Sequence, residues 1–423
     1  MREGASAVPS SGGRLHYAYI IVLLGVLTIT GAQGFLRFGY AMILPSMRDA
    51  LGLTYAQTGT IATASYVGYV LAASAVGWLV VRFGARRVIS TATLVTGTAM
   101  VLTGSVQSYE VAVLLQLVAG GASVIAISPM MGLATPWFAS RRRGRAAGIM
   151  SGGGPLGSLI TGPLMPALIL AFGPLGWRYG WYSLGAVALL VGLLDAALLR
   201  NRPADVDRLP VGASGESATP LPRQRASVRT AYTSPLVWYL AGLAFFSTLG
   251  AISFNTFFTT YLVQERSVST EVAGQLWAFA GAMGVASGFL WGSISDRSGR
   301  KFALIAVYVL QGVCFALFAW GGSMVVYAAC AFLYGITARA NFTVIAAFCG
   351  DLFGPRLAPV AFGINNVFAG AGMAVGPFLA GYVADSTSSF TLAFWGSAGV
   401  ALLGAIGSLP LRGRPIVAEE KSG

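Results

Sequence analysis

Gly292-Ser-Ile-Ser-Asp296-Arg297-Ser-Gly299-Arg300-Lys301 is a short polar turn set between two long apolar runs. A weaker copy lies 215 positions earlier, Gly77-Trp-Leu-Val-Val81-Arg82-Phe-Gly84-Ala85-Arg86-Arg87. The interval is about half the chain, and internal repeats of this kind mark transporters built from two related halves. Each copy falls at the same place, between the second and third apolar runs of its half.

Outward from these turns the chain is 56% hydrophobic and 10% charged. Ordinary soluble domains carry roughly a quarter charged residues. A soluble protein of this composition would expose large apolar patches, which soluble monomers avoid. A membrane-spanning helix needs roughly 20 apolar residues, and twelve such runs are legible: Tyr17–Phe38, Tyr55–Val80, Val88–Val106, Val111–Phe138, Ala146–Phe172, Gly180–Leu199, Leu236–Val263, Val272–Ile294, Phe302–Trp320, Met324–Phe348, Pro359–Val383 and Phe390–Leu411. The first follows Arg2 and Arg14 but is too long for a signal peptide, and further spans come after it. The expected fold is an all-α membrane protein of twelve helices in two pseudo-symmetric six-helix bundles. Residues 1–200 form the first bundle and 235–423 the second. Residues 201–234, with Pro203, Pro210, Pro220 and Pro222, read as a cytoplasmic linker.

The net charge of +13 raises nucleic-acid binding, but the charges sit in short clusters between apolar runs and form no basic face. With the N-terminus inside, 22 of the 27 Lys and Arg fall on the inner side and three, Arg48, Arg178 and Arg266, on the outer. That asymmetry places both termini in the cytoplasm and the chain in a cell (inner) membrane. No nucleic-acid partner, metal or cofactor is expected. Cys314, Cys330 and Cys349 lie in apolar runs without metal spacing, and His16 is the sole histidine. No nucleophile–histidine–acid set exists, so an enzyme is not expected.

The turn at 292–301 matches the G-x-x-x-D-R-x-G-R-R/K signature of the major facilitator superfamily, which the whole chain resembles through span count, linker and both copies. The first copy departs from it, with Val81 where the acid belongs. The resemblance implies a latch in which Asp296 faces the N-terminus of a helix of the opposite half, near Arg145, and holds the outward-open state. Its parts are Gly77, Arg82, Arg86, Asp296, Arg297, Arg300 and Arg145. The competing reading is a purely topogenic turn. Gly144, Gly148 and Gly152, with Gly153 and Gly157, give small-residue packing faces in the fifth span. Gly372 and Gly376 are their counterpart in the eleventh. Gly152-x-Gly154-x-x-Gly157 lacks the strand a dinucleotide fingerprint needs.

Charges inside spans are costly and point to function. Arg37 reads as lying toward the outer end of the first span and Arg339 near the middle of the tenth. The resemblance implies that the first, fourth, seventh and tenth spans line one cavity. No acid of matching depth pairs with these arginines; Asp195 is nearest to being embedded and sits close to Arg200. An anionic cargo supplies the missing charge, and a guanidinium suits carboxylate. The competing readings are snorkelling for Arg37 and bonding to carbonyls of a neighbouring helix for Arg339. Neighbours by spacing are Gln33 and Tyr40 beside Arg37, Tyr66 with Tyr69, Asn255 in the aromatic seventh span, and Tyr334 and Asn341 beside Arg339.

The leading function is alternating-access transport of a small organic anion, by symport or facilitated movement, with or without a proton, by a monomer. The Arg-rich entry to the fifth span resembles the monocarboxylate and oxalate/formate branch. Efflux of amphipathic drugs or metabolites and a transporter-like membrane sensor are the alternatives.

Overall fold

The computed structural model describes residues 16–206, 209–212 and 228–411. The chain ends and most of the linker, with Arg2, Arg14, Arg208, Arg223, Arg225, Arg412, Arg414 and Lys421 of the topology count, lie outside the described residues. Every one of the twelve apolar runs is helical. Among the described residues eight helical stretches are long and apolar enough to cross a membrane, one of them, Arg142–Leu198, holding the fifth and sixth runs together.

Three helices differ from the expected straight spans. The first runs as one stretch from Tyr17 to Leu51, beyond the expected end at Phe38. The added segment is apolar and buries Met42, Ile43, Leu44 and Met47, and it stops where Gly52 adopts φ 62°. Arg37 therefore sits near the middle of this helix, not toward its outer end. The second span is bent by 57° between Tyr55–Ala73 and Val76–Phe83. The tenth breaks between Met324–Thr337 and the helix that starts at Ala340. A further kink at Gly354, φ 67°, separates it from the eleventh, Leu357–Thr387.

The two halves repeat in packing as well as in sequence. Gly84 and Gly299 turn their loops with nearly equal dihedrals, φ 81°, ψ 149° and φ 88°, ψ 151°, a region that favours glycine. In the first half Gly153 and Gly157 let the fifth helix touch the first. A Cβ on Gly157 would lie 2.3 Å from the Gly34 Cα. In the second half Gly372 and Gly376 do the same for the eleventh helix against the seventh, with carbonyls of Phe245 and Leu249 at 2.2 and 2.5 Å. Close backbone approach of this kind supplies the packing attraction between helices in lipid. Gly144 and Gly148 face open space, so the packing face starts only at Gly152.

The halves meet at one end and part at the other. At the arginine-poor end, Asp385 accepts from the Tyr55 and Ala56 N–H groups at 2.9 and 2.7 Å across the interface. Gln264 donates to Asp49 at 3.1 Å and accepts from the Tyr55 hydroxyl at 2.9 Å. At the arginine-rich end, Gly77, Gly144 and Gly148 have nothing near them, and Val81 is 90% exposed. The start of the linker is not free: Ala139 donates to Val211 O and Val211 to Trp137 O, both at 3.0 Å.

Candidate functional site

Local irregularity places both arginines. The first helix widens into a π-helical stretch over Thr30–Gly39, a departure frequent at functional sites. Arg37 lies in that stretch. Its guanidinium stands over the rings of Tyr66 and Tyr69, 4.5 and 4.7 Å from their centres. Such a cation–π sandwich holds a desolvated charge. Its Nε and Nη2 are buried with no hydrogen-bond partner. The side chain is thus turned toward the second helix.

Arg339 occupies the break in the tenth helix. The freed backbone groups find partners on the eighth helix, Thr270–Ser298. There Ser287 and Trp291 donate to the Ile336 carbonyl at 2.7 and 2.8 Å, and the Arg339 N–H donates to the Ser287 hydroxyl at 3.2 Å. Broken helices are tolerated in membranes where neighbours re-satisfy the backbone in this way. Arg339 Nη2 donates to the Ser151 carbonyl of the opposite half at 2.8 Å. The bond to a neighbouring helix weighed from sequence is thus present for one of its nitrogens.

Arg339 and Gln33 meet over the fifth helix. A Cβ on Gly154 would lie 3.7 Å from both Arg339 Nη1 and Gln33 Oε1, so a bare patch of the fifth helix sits under both side chains. Asn255 donates to the Tyr334 hydroxyl at 2.8 Å. The Trp277 ring stacks on Tyr334 with centres 6.3 Å apart, and its N–H reaches the Phe38 carbonyl at 3.2 Å. Trp277 was not legible as a site residue, because nothing in its run separates it from any other membrane tryptophan.

Two residues named from sequence lie elsewhere. The Tyr40 hydroxyl is committed to the Thr58 carbonyl at 2.7 Å inside the first half. The i→i+5 winding before it breaks the 3.6-residue spacing from which a face shared with Gln33 and Arg37 was read. Asn341 donates to Ser247 at 3.0 Å and accepts from Tyr308 at 3.1 Å, within the core of the second half. The seventh-span aromatics Phe254, Phe257 and Phe258 are fully buried against Phe315, Phe318 and Phe390 and line no surface. Asp195 does not pair with Arg200, which bonds the Ala197 carbonyl at 2.9 Å; the carboxylate is 0% exposed and meets Thr28 at 2.8 Å.

The latch residues are bonded within their own halves. Asp296 pairs with Arg300, which also holds Asp351 at 2.7 Å. Arg86 bonds the Ala196 carbonyl, at 3.0 Å from Nε. Arg82, Arg145 and Arg297 are exposed.

The family model of the Major Facilitator Superfamily matches residues 26–337 and, again, 285–422. The chain belongs to the major facilitator superfamily. As a superfamily member it is a multi-pass membrane transporter and not an enzyme. It is 25% identical to a Cupriavidus necator protein named "Probable sulfoacetate transporter SauU", over 92% of this chain and 93% of that one. It is 23% identical to the hexuronate transporter of Bacillus subtilis, over 94% and 96%. Among solved structures, the nucleoside transporter NupG superposes with a TM-score of 0.72 at 15% identity, covering 93% of this chain and 98% of that one. A bacterial homolog of the human lysosomal transporter Spinster, inward-facing and occupied, gives 0.70 at 15%, covering 94% and 96%. At these identities the structural neighbours speak for the fold alone.

Proposed function

We propose that this superfamily member carries a small organic anion through the membrane by alternating access, with Arg37 as the first anchor for a carboxylate. The observation that carries this reading is the pair of buried, unpartnered donors on Arg37, held by two tyrosine rings. A buried unpaired charge is costly, and a guanidinium offers two parallel bonds to a carboxylate. The similarity to proteins named for sulfoacetate and hexuronate supports the anionic class. Because Arg339 has one nitrogen committed to Ser151, a single carboxylate at Arg37 is the favoured primary contact, so a monocarboxylate-like acid remains the proposed cargo. Gln33, Tyr66, Asn255 and Tyr334 complete the site, with Arg339 meeting the far end of the cargo.

The two bundles, residues 1–200 and 235–423, rock about this site. The arginine-rich face is cytoplasmic, with both termini there, in the inner membrane of a bacterial-type cell. The cross-half bonds at the other face support reading the described state as inward-open. Asp296 engages the helix entry near Arg145 only when the inner ends close.

The test is a thermal-shift screen of the purified protein against sulfoacetate, hexuronates, simple monocarboxylates, dicarboxylates and cationic drugs. Ligand stabilisation follows mass action. Stabilisation by one or more acids and by no cation supports the reading. Stabilisation by cationic amphiphiles alone contradicts it.

A further inference from the structure

Asp195 lies outside the central region, wedged where the sixth helix, Gly176–Leu198, packs on the first and third. It is 0% exposed, and its Oδ1 has no hydrogen-bond partner. Its Oδ2 meets the Thr28 hydroxyl at 2.8 Å and the Thr93 hydroxyl at 3.5 Å. No cation pairs with it among the described residues. On the packed elements Arg86 bonds the Ala196 carbonyl, Arg178 the Gly104 carbonyl, Arg200 the Ala197 and Leu199 carbonyls and the Tyr17 hydroxyl the Leu198 carbonyl, while Arg37 stands over its tyrosine rings and Arg87 is exposed.

Thr28 Oγ1 stands 2.8 Å from both Asp195 Oδ2 and the Leu24 carbonyl, and Thr93 Oγ1 is 2.9 Å from the Ile89 carbonyl. Both carbonyls already accept a helical N–H, and each hydroxyl carries one hydrogen. The carboxyl therefore meets two shared hydroxyls at one oxygen and no donor at the other. A proton on Oδ2 suits this setting: Oδ2–H donates to Thr28 Oγ1, and the Thr28 hydrogen turns to Leu24. A protonated carboxyl also tolerates a bare Oδ1, whereas a buried carboxylate oxygen without donors does not.

We infer that Asp195 is a proton-binding site, neutral and sealed from water in this conformation, and that its proton is one the transport cycle takes up and releases. Loss of the proton returns the Thr28 hydrogen to Oδ2 and leaves the Leu24 carbonyl with its helical N–H bond alone. Thr28 lies two residues before the π-helical stretch that carries Arg37, so the protonation state is felt by the helix that holds the anchor. An ionisable residue inside the membrane is a functional site by default. The coupling half of this inference rests on the anion-transport reading; the proton site itself does not.

Infrared difference spectra of the purified, substrate-free protein test the site directly. At neutral pH the wild type shows a protonated-carboxyl stretch that shifts in heavy water, and Asp195→Asn lacks it. Absence of that band in the wild type, or its survival in Asp195→Asn, overturns the site. In proteoliposomes with sulfoacetate as probe, Asp195→Asn keeps counterflow but loses accumulation driven by a pH gradient at least tenfold. Undiminished gradient-driven accumulation overturns the coupling while leaving the infrared result to stand. If the wild type moves no sulfoacetate, the anion reading has failed for that probe, and the infrared band alone then decides for or against the proton site.

Discussion

Arg339 donates Nη2 to the Ser151 carbonyl, 2.8 Å across the interface between the two halves. On the proposed reading one guanidinium serves both the site and a contact that must break when the halves rock. A hydrogen bond from a charged group contributes about 1.5–3 kcal/mol. Arg339→Ala is expected to weaken the inward-open state by about tenfold or more as well as to lower affinity. Cysteine accessibility at the outer face reads the first effect and ligand-induced thermal shift the second; a change in affinity with no change in accessibility contradicts the bridge.

Asp385 fastens the opposite end of the same interface by capping the helix that begins at Tyr55. A carboxylate at a helix N-terminus contributes roughly 0.3–1 kcal/mol, more when partly buried. Asp385→Asn should open the outer face, raising labelling of cysteines placed at Thr63 or Thr60 severalfold. Unchanged labelling at both positions counts against an outer latch.

Asp296 and Val81 occupy equivalent places in the two repeats. Here Asp296 pairs only with its own half, an exposed bond of small worth. Asp296→Asn should favour the inward-open state by weakening the closed inner face, whereas Val81→Ala should change nothing. Equal, negligible effects in accessibility labelling would leave the turn with a topogenic role alone.

Gly157→Ala places a methyl 2.3 Å from Gly34 Cα, against backbone that cannot yield. Overpacking of this kind costs about 1–3 kcal/mol or more, so folded yield after detergent extraction should fall sharply. Gly144→Ala, facing open space, should extract like the wild type or better, since alanine favours the helix; equal loss in both would count against packing as the cause.

The span count and the repeat were legible because lipid imposes long apolar runs and because the two turns kept their glycines at 84 and 299. The paired packing glycines were legible for the same reason, except where Gly144 and Gly148 turn out to face open space. Irregular backbone was not legible. The π-helical stretch around Arg37 and the break before Arg339 are settled by partners such as Ser287 and Trp291, far away in sequence. Spacing rules assume an unbroken 3.6-residue helix, which is why Tyr40 and Asn341 read as neighbours of the arginines while the structure commits them elsewhere. Asp195 read as an inner-end acid because its distance from Arg200 in sequence says nothing about Thr28 and Thr93 enclosing it.

Anchoring by Arg37 is tested most directly by binding. For the acid that stabilises the wild type best, affinity should fall about a hundredfold or more in Arg37→Ala, the scale of losing a charged two-bond contact. It should change little in Tyr40→Phe and Asn341→Ala. Wild-type affinity in a folded Arg37→Ala protein would contradict the assignment of that residue as the anion's anchor.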